Sequence, residues 1–166
     1  IVIYIMIGKT MIDIERILLE LEMLPKYKDQ IMLQTYEGNE DPFDGTGALP
    51  ALIRPANLPS GGWSETVYNL PLFDLPYTNS IISDLGMFRT RVMMMKPHRC
   101  YSYHKDPTPR IHIPLITDEK CMLIVDDKVI RLPADGNYYK IDTTLYHTAL
   151  NGSNIERIHL VGGYHE

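Results

Sequence analysis

The sequence is poor in the residues that would let covalent links or one sign of charge organise it. Two cysteines, Cys100 and Cys121, stand in 166 residues. That is too few for a disulfide framework, and both are read as reduced core thiols of a cytoplasmic protein. Tryptophan occurs once and phenylalanine three times, so aromatic packing falls to eleven tyrosines, whose rings carry a polar end. Lys and Arg number 16 against 21 Asp and Glu, for a net charge of −5, with no basic run. This argues against a general nucleic-acid binder, because neutralising phosphates takes clustered cations. The opening apolar run, residues 1–7, is too short to span a bilayer. It lacks the basic start and small-residue cleavage site of a signal peptide and reads as a buried strand. The chain does not begin with Met, which leaves room for residues upstream of Ile1.

What is present is ordinary for a globular chain: 45% hydrophobic and 22% charged residues, enough for one domain with its own core. The expected division is a supporting half over 1–86 and a β-rich half over 87–166. In the first, Thr10-Met11-Ile12-Asp13 reads as a capping box. Ile14, Ile17, Leu18, Leu21 and Leu24 follow at helical spacing, and Pro25 closes the helix. A short strand is expected over 31–35. Residues 38–71 are rich in Gly and Pro and hold Gly61-Gly62-Trp63. Trp63 is either a core plug or part of a lid hinged at the two glycines. A helix over 78–85 is stopped by Gly86.

From 87 onward the pattern is strand after strand: 87–96, 99–104, 109–116, 120–126, 128–132, 137–142, 145–150 and 156–164. Thr117-Asp118, Asp126-Asp127, Ala134-Asp135-Gly136 and Asn151-Gly152 separate several of them. Eight short strands so punctuated predict a mostly β fold, a jelly roll or double-stranded β-helix of cupin type, with a few flanking N-terminal helices.

Within that β half stands His104-Lys105-Asp106, and His147 follows 43 residues after His104. In an extended strand, His104 and Asp106 project to one side and Lys105 to the other. Two neutral imidazoles and one carboxylate cover one face of an octahedral ferrous ion and leave three adjacent positions open. Any one of these histidines alone reads as an ordinary polar residue; the three ligands taken with Arg157, ten residues past His147, read as a metal site beside an anion site. Arg110 and His112 share a strand face, with Ile111, Ile113 and Leu115 on the other. The common cupin pattern of a histidine pair followed by glutamate is absent. Zinc remains open as an alternative metal, although no cysteine motif supports a structural zinc site.

Residues from about Met93 to Tyr164 resemble the aspartyl/asparaginyl β-hydroxylase branch of the Fe(II)- and 2-oxoglutarate-dependent oxygenases. The matching pieces are Lys96-Pro97, His104 to Thr108, Arg110-Ile111-His112, His147 and Arg157. The resemblance implies a hydroxylase in which His104, Asp106 and His147 bind Fe(II) and Arg157 pairs with the distal carboxylate of 2-oxoglutarate. Arg110 and His112 would approach the metal-chelating end of that co-substrate, and Met93 would stand where the animal enzymes use a serine to contact it. Asp106 departs from those enzymes, which lack the carboxylate ligand, toward the commoner complete triad. For Arg110 a salt bridge to an acidic residue is the competing reading. Tyr101 and Tyr103 are further candidates to face substrate, whereas His98, His159 and His165 are read as solvent-exposed or structural. The implied partner is a small molecule or peptide, an amino acid or a peptidyl Asp or Asn, and neither nucleic acid nor membrane. The alternatives are a metal-binding cupin module without catalysis and an oxygenase acting on a modified nucleobase or other small molecule.

Overall fold

The described strands of the barrel pair into two antiparallel sheets, each with an inner and an outer set of side chains. The computed structural model describes residues 4–6, 11–47 and 64–165. The larger sheet runs in the order β1 (Tyr4–Met6), β10 (Tyr138–Ile141), β7 (Arg110–Ile116), β12 (Arg157–Gly163), β5 (Phe88–Met95) and β2 (Gln30–Met32). The smaller sheet runs β6 (Arg99–Cys100), β11 (His147–Asn151), β8 (Cys121–Val125) and β9 (Lys128–Ile130). A separate pair, β3 (Gln34–Thr35) with β4 (Leu70–Pro71), completes the described strands. The architecture is the expected mostly β jelly roll, with two helices, α1 (Ile14–Leu21) and α2 (Pro76–Asp84).

Each sheet face has a different chemistry. Val92 of β5, Ile111, Ile113 and Leu115 of β7 and Leu160 of β12 turn outward into one core with Ile17 of α1 and Ile82 of α2. On the opposite face, Met95 and Tyr139 join Leu123, Val125, Ile130 and Ala149 from the smaller sheet in a second core. The residues that alternate with the outer set include a buried polar group: Arg110 and His112 on β7, Arg91 on β5, Arg157 and His159 on β12. The jelly roll is therefore oily behind its large sheet and charged in front of part of it.

Local chemistry sets the element ends. Asp126 and Asp127 both adopt positive φ, 47° and 61°, as a two-residue type I′ turn between β8 and β9 requires. After α2, Gly86 sits at φ +61°. There Gly86 N donates to Ser83 O (3.0 Å) and Met87 N to Ile82 O (3.0 Å), a Schellman ending. Helix α1 is capped by Asp13, whose Oδ1 accepts from Arg16 N (3.0 Å). The cap is therefore Asp13 itself rather than a box opened by Thr10, which lies outside the described residues. Helix α2 starts two residues earlier than its periodicity predicts, because Pro76 opens it and Glu20 caps it from α1. Glu20 accepts from Tyr77 N (2.9 Å) and Thr78 N (2.8 Å).

Of the stretch expected to be a lid, 38–47 and 64–71 are described. They hold a 3-10 turn, Glu65–Val67, and strand β4. Gly61, Gly62 and Trp63 lie outside the described residues. Cys121 is buried, as expected of a core thiol, but Cys100 is exposed, and the two are not bridged. Among the described residues no helix is long and apolar enough to cross a membrane.

Candidate metal centre and its cavity

His147 opens β11, and opposite it, in an antiparallel bridge of one residue pair, stands His104. Each donates its backbone N–H to the other's carbonyl, at 3.0 and 2.8 Å, and their rings lie 4.4 Å apart. Strand β6 ends at Cys100, short of the strand expected over 99–104, so His104 is held by that single pair. Asp106 lies past the strand in a loop, where its N–H donates to Thr143 O (2.9 Å). Strand alternation thus does not position Asp106; a loop hydrogen bond does. Lys105 is not turned away either, since it lines the same cavity, with Nζ 4.6 Å from the centre of the Tyr146 ring.

The three side chains converge. Asp106 Oδ1 lies 3.8 Å from His104 Nε2, and Oδ2 lies 3.5 Å from His147 Nε2. One ligand atom from each falls within 4.8 Å of the others. Both imidazoles are oriented through their far nitrogens: His104 Nδ1 meets Ser102 O at 2.7 Å and His147 Nδ1 meets Leu145 O at 2.9 Å. A carbonyl can only accept, so each Nδ1 donates, and Nε2 is the nitrogen that each ring presents beside Asp106. Burial alone would raise the Asp106 carboxyl. The His147 contact and the guanidinium charges of Arg110 and Arg91 outweigh it and hold the group below the usual carboxylate range. Two imidazole lone pairs and a carboxylate that stays ionised fit a divalent cation of the first transition row.

Behind the carboxylate lies an ion-pair relay. Arg110 Nε donates to Asp106 Oδ2 (3.1 Å), while Nη1 and Nη2 grip Glu65 at 2.8 and 3.0 Å. Glu65 also receives Arg89 Nη1 (3.1 Å), and Arg89 donates to the carbonyls of Gly45 and Gly47. Thr108 Oγ1 is a further close hydrogen-bond partner of Glu65. The salt bridge weighed against a co-substrate role for Arg110 is therefore present, and the side chain acts on Asp106 rather than facing open space. Arg89 sits at φ +50°, where β5 carries one extra residue against β12: Val161 pairs with Arg91 and Gly163 with Phe88. It lines the same cavity as Arg91, two residues on.

The triad opens into a cavity of about 470 Å³ whose walls include Arg91, Met93, Tyr101, Arg110, His112 and Arg157. Every residue expected at the site is thus in one cavity wall. Arg157 is 2% exposed and faces no carboxylate among the described residues. Its Nη2 meets His159 Nδ1 at 2.9 Å, and burial pulls its guanidinium down to about 10. His159, expected to be solvent-exposed or structural, is fully enclosed beside Arg157 and His112, its Nδ1 3.4 Å from that of His112. Burial first, then the Arg157 charge, pushes both imidazoles far below the usual histidine range. Tyr101 lines the cavity, whereas Tyr103 is half exposed at the surface and stacks on Tyr146.

Glu65, Arg89, Arg91 and Gln30 belong to this site and were not singled out from the sequence. The available signal was Arg89-Thr90-Arg91 running straight into Val92-Met93-Met94-Met95, since two arginines in an otherwise apolar strand need buried partners. Glu65 carries no such signal.

The sequence matches the family of aspartyl/asparaginyl beta-hydroxylases over residues 71–164, more than half of the chain. The chain belongs to that family. Among solved structures, a cupin domain from Bordetella pertussis Tohama I is similar, with a TM-score of 0.41 at 14% identity, over 47% of this chain and 81% of that one. No curated protein matches it. The family match takes in His104, Asp106, His147, Arg110, His112 and Arg157 of this aspartyl/asparaginyl beta-hydroxylase relative, and stops short of Glu65.

Proposed function

We propose that this protein is an Fe(II)- and 2-oxoglutarate-dependent dioxygenase that hydroxylates an unactivated carbon of an amino acid or of a peptidyl Asp or Asn side chain. The observation that carries this reading is the convergence of His104, Asp106 and His147 at the mouth of a cavity that also holds Arg157, an arginine with no counter-ion among the described residues. A zinc site of the same ligands would explain the triad but not that arginine. In this reading His104 and His147 bind the metal through Nε2, and Asp106 supplies the anionic ligand. Iron and 2-oxoglutarate, when bound, supply the oxidising chemistry, in which dioxygen and the co-substrate are consumed to give succinate, carbon dioxide and a hydroxylated product.

The chain's own residues do the positioning. Arg110, itself fixed by Glu65, holds Asp106 in one rotamer, so the ligand face is set before metal arrives. Arg157 receives the distal carboxylate of 2-oxoglutarate, for which a planar guanidinium fork is suited. His112 and Met93 line the same cavity as the triad and Arg157. The apolar share of that wall, Leu123, Ala149 and Val161, keeps water from the reacting carbon.

The test is an anaerobic titration. One iron should bind per chain, and the His104→Ala, His147→Ala double variant should lose it. Arg157→Ala should bind iron normally but lose roughly a hundred- to a thousandfold in 2-oxoglutarate affinity, from about 3–5 kcal/mol for an unpaired buried charge. Full iron occupancy in the double variant, or no succinate formed with any amino acid or peptide, would refute the oxygenase reading.

A further inference from the structure

Glu65 lies outside the residues that match the family, and its carboxylate is fully supplied with donors. Oε1 accepts from Arg110 Nη1 (2.8 Å) and from Thr108 Oγ1, while Oε2 accepts from Arg110 Nη2 (3.0 Å) and Arg89 Nη1 (3.1 Å). The residue is 2% exposed. Burial would raise its carboxyl, but the bonds and charge of Arg110, with Thr108 and Arg89 behind them, outweigh burial and hold the group below the usual carboxylate range. Glu65 does not line the cavity, so whatever it does for the triad it does through Arg110.

Arg110 stands between two carboxylates. Its fork, Nη1 and Nη2, is taken up by Glu65, and Nε alone is left for Asp106, at Oδ2 (3.1 Å). One such bond steadies Asp106. A second would cover the carboxylate lone pairs that a cation needs. Without Glu65 the fork of a buried arginine would lose its anion, and buried donors do not stay unpaired. The other anion paired with Arg110 is Asp106, four residues back, which Nε already touches. Charge acts in the same direction. Three guanidiniums, Arg89, Arg91 and Arg110, lie close enough to act on the two anions Glu65 and Asp106. Removing Glu65 would leave Asp106 alone among them, and an approaching divalent cation would meet that excess of positive charge.

Resting on the reading of the triad as a metal site, and not on the oxygen chemistry, we propose that Glu65 is a positioning residue that sets metal affinity, because its hold on the fork of Arg110 keeps that arginine from closing on Asp106 in place of the cation. Arg110 is then both the support of Asp106 and the metal's rival for it, and Glu65 decides between the two. Glu65→Gln does not preserve the hold, since the amide nitrogen turns a donor toward donors.

The experiment is a titration with Mn(II), read through the EPR signal of the free aquo ion, on the wild type, Glu65→Gln, and Glu65→Gln combined with Arg110→Met. Thermal melts establish that each folds. Glu65→Gln should bind Mn(II) roughly ten- to a hundredfold more weakly than the wild type. Adding Arg110→Met removes the rival and should tighten binding again by about threefold or more. A residue that only held the fold together would show no such recovery, because a second deletion adds damage. Where Glu65→Gln does not fold, Glu65→Asp carries the test. It keeps the charge but falls one methylene short of the fork, and should weaken Mn(II) binding roughly three- to tenfold, with Arg110→Met again recovering part of the loss. Unchanged affinity in a folded Glu65 variant, or a double variant no tighter than the single one, would overturn the proposal. Affinity that depends on Glu65 in a protein forming no succinate from 2-oxoglutarate would strike the oxygenase and leave this role of Glu65 standing. Succinate formed alongside an affinity indifferent to Glu65 would do the reverse, and a wild type that binds no Mn(II) would refute both.

Discussion

His112 and His159 show how far a buried side chain can depart from its solution behaviour. Both are held neutral by burial, reinforced by the Arg157 charge. Their folded-state values lie below the usual one near 6.5, so below about pH 6.5 the unfolded chain binds protons that the native protein refuses. Native stability is therefore fully present above that pH and falls as pH drops, by up to about 1.4 kcal/mol per unit for each histidine. Denaturant midpoints at pH 7.5 and 5.5 should differ accordingly, and His159→Leu should flatten the slope. An unchanged slope would place His159 in contact with solvent. At this scale the sequence was partly legible. His104, Asp106, His147 and Arg157 stand out because their types and order are chemically specific. His159 did not, because nothing in Arg157-Ile158-His159 says that both side chains turn inward until the strand is known to be buried on both faces.

At the scale of elements, helix α2 takes its cap from another helix. Its N-cap position is Leu75, with no capping side chain, and the carboxylate of Glu20 does the work from α1. Burial would raise that carboxyl, but hydrogen bonds from the backbone of Thr78 and Tyr77 outweigh it and bring the group below the usual value. Glu20→Ala should cost about 1 kcal/mol, and up to about 2 if both helix ends loosen. Differential scanning calorimetry at pH 7 and again near pH 3, where the wild-type carboxylate is itself being protonated, would show the difference shrink. A loss that persists unchanged at low pH would point to packing rather than capping. The long-range cap also explains why the sequence predicts a start at 78 and the helix begins at 76: its capping partner lies 57 residues away, where no local signal points. The strands were easier. Alternation on β7 and the aspartate pair before β9 are local, and both were read within a residue or two. Arg89 is harder, since the extra residue in its own strand, beside its φ of +50°, has no signature in the sequence.

Taken whole, the molecule puts an oily core behind its larger sheet and a cluster of four buried arginines, Arg89, Arg91, Arg110 and Arg157, in front of it. The division follows from strand period alone, since each of β5, β7 and β12 sends one residue set to each side. Arg89 has one consequence at this scale. Its guanidinium holds Gly45 O (2.8 Å), Gly47 O (3.2 Å) and Glu65 Oε2 (3.1 Å) together. Residues 45–47 and residue 65 are thereby tied at one point, whatever path the chain takes between them. For a segment clamped at its neck, the entropy of closure depends on contour length only logarithmically, and doubling that length adds about 0.6 kcal/mol. Relatives could then carry inserts of very different size at this place without retuning the barrel. Replacing 48–63 by a glycine-serine linker of half or twice the length should move the melting temperature by no more than a few degrees and leave iron stoichiometry intact, while Arg89→Met should make both sensitive to linker length.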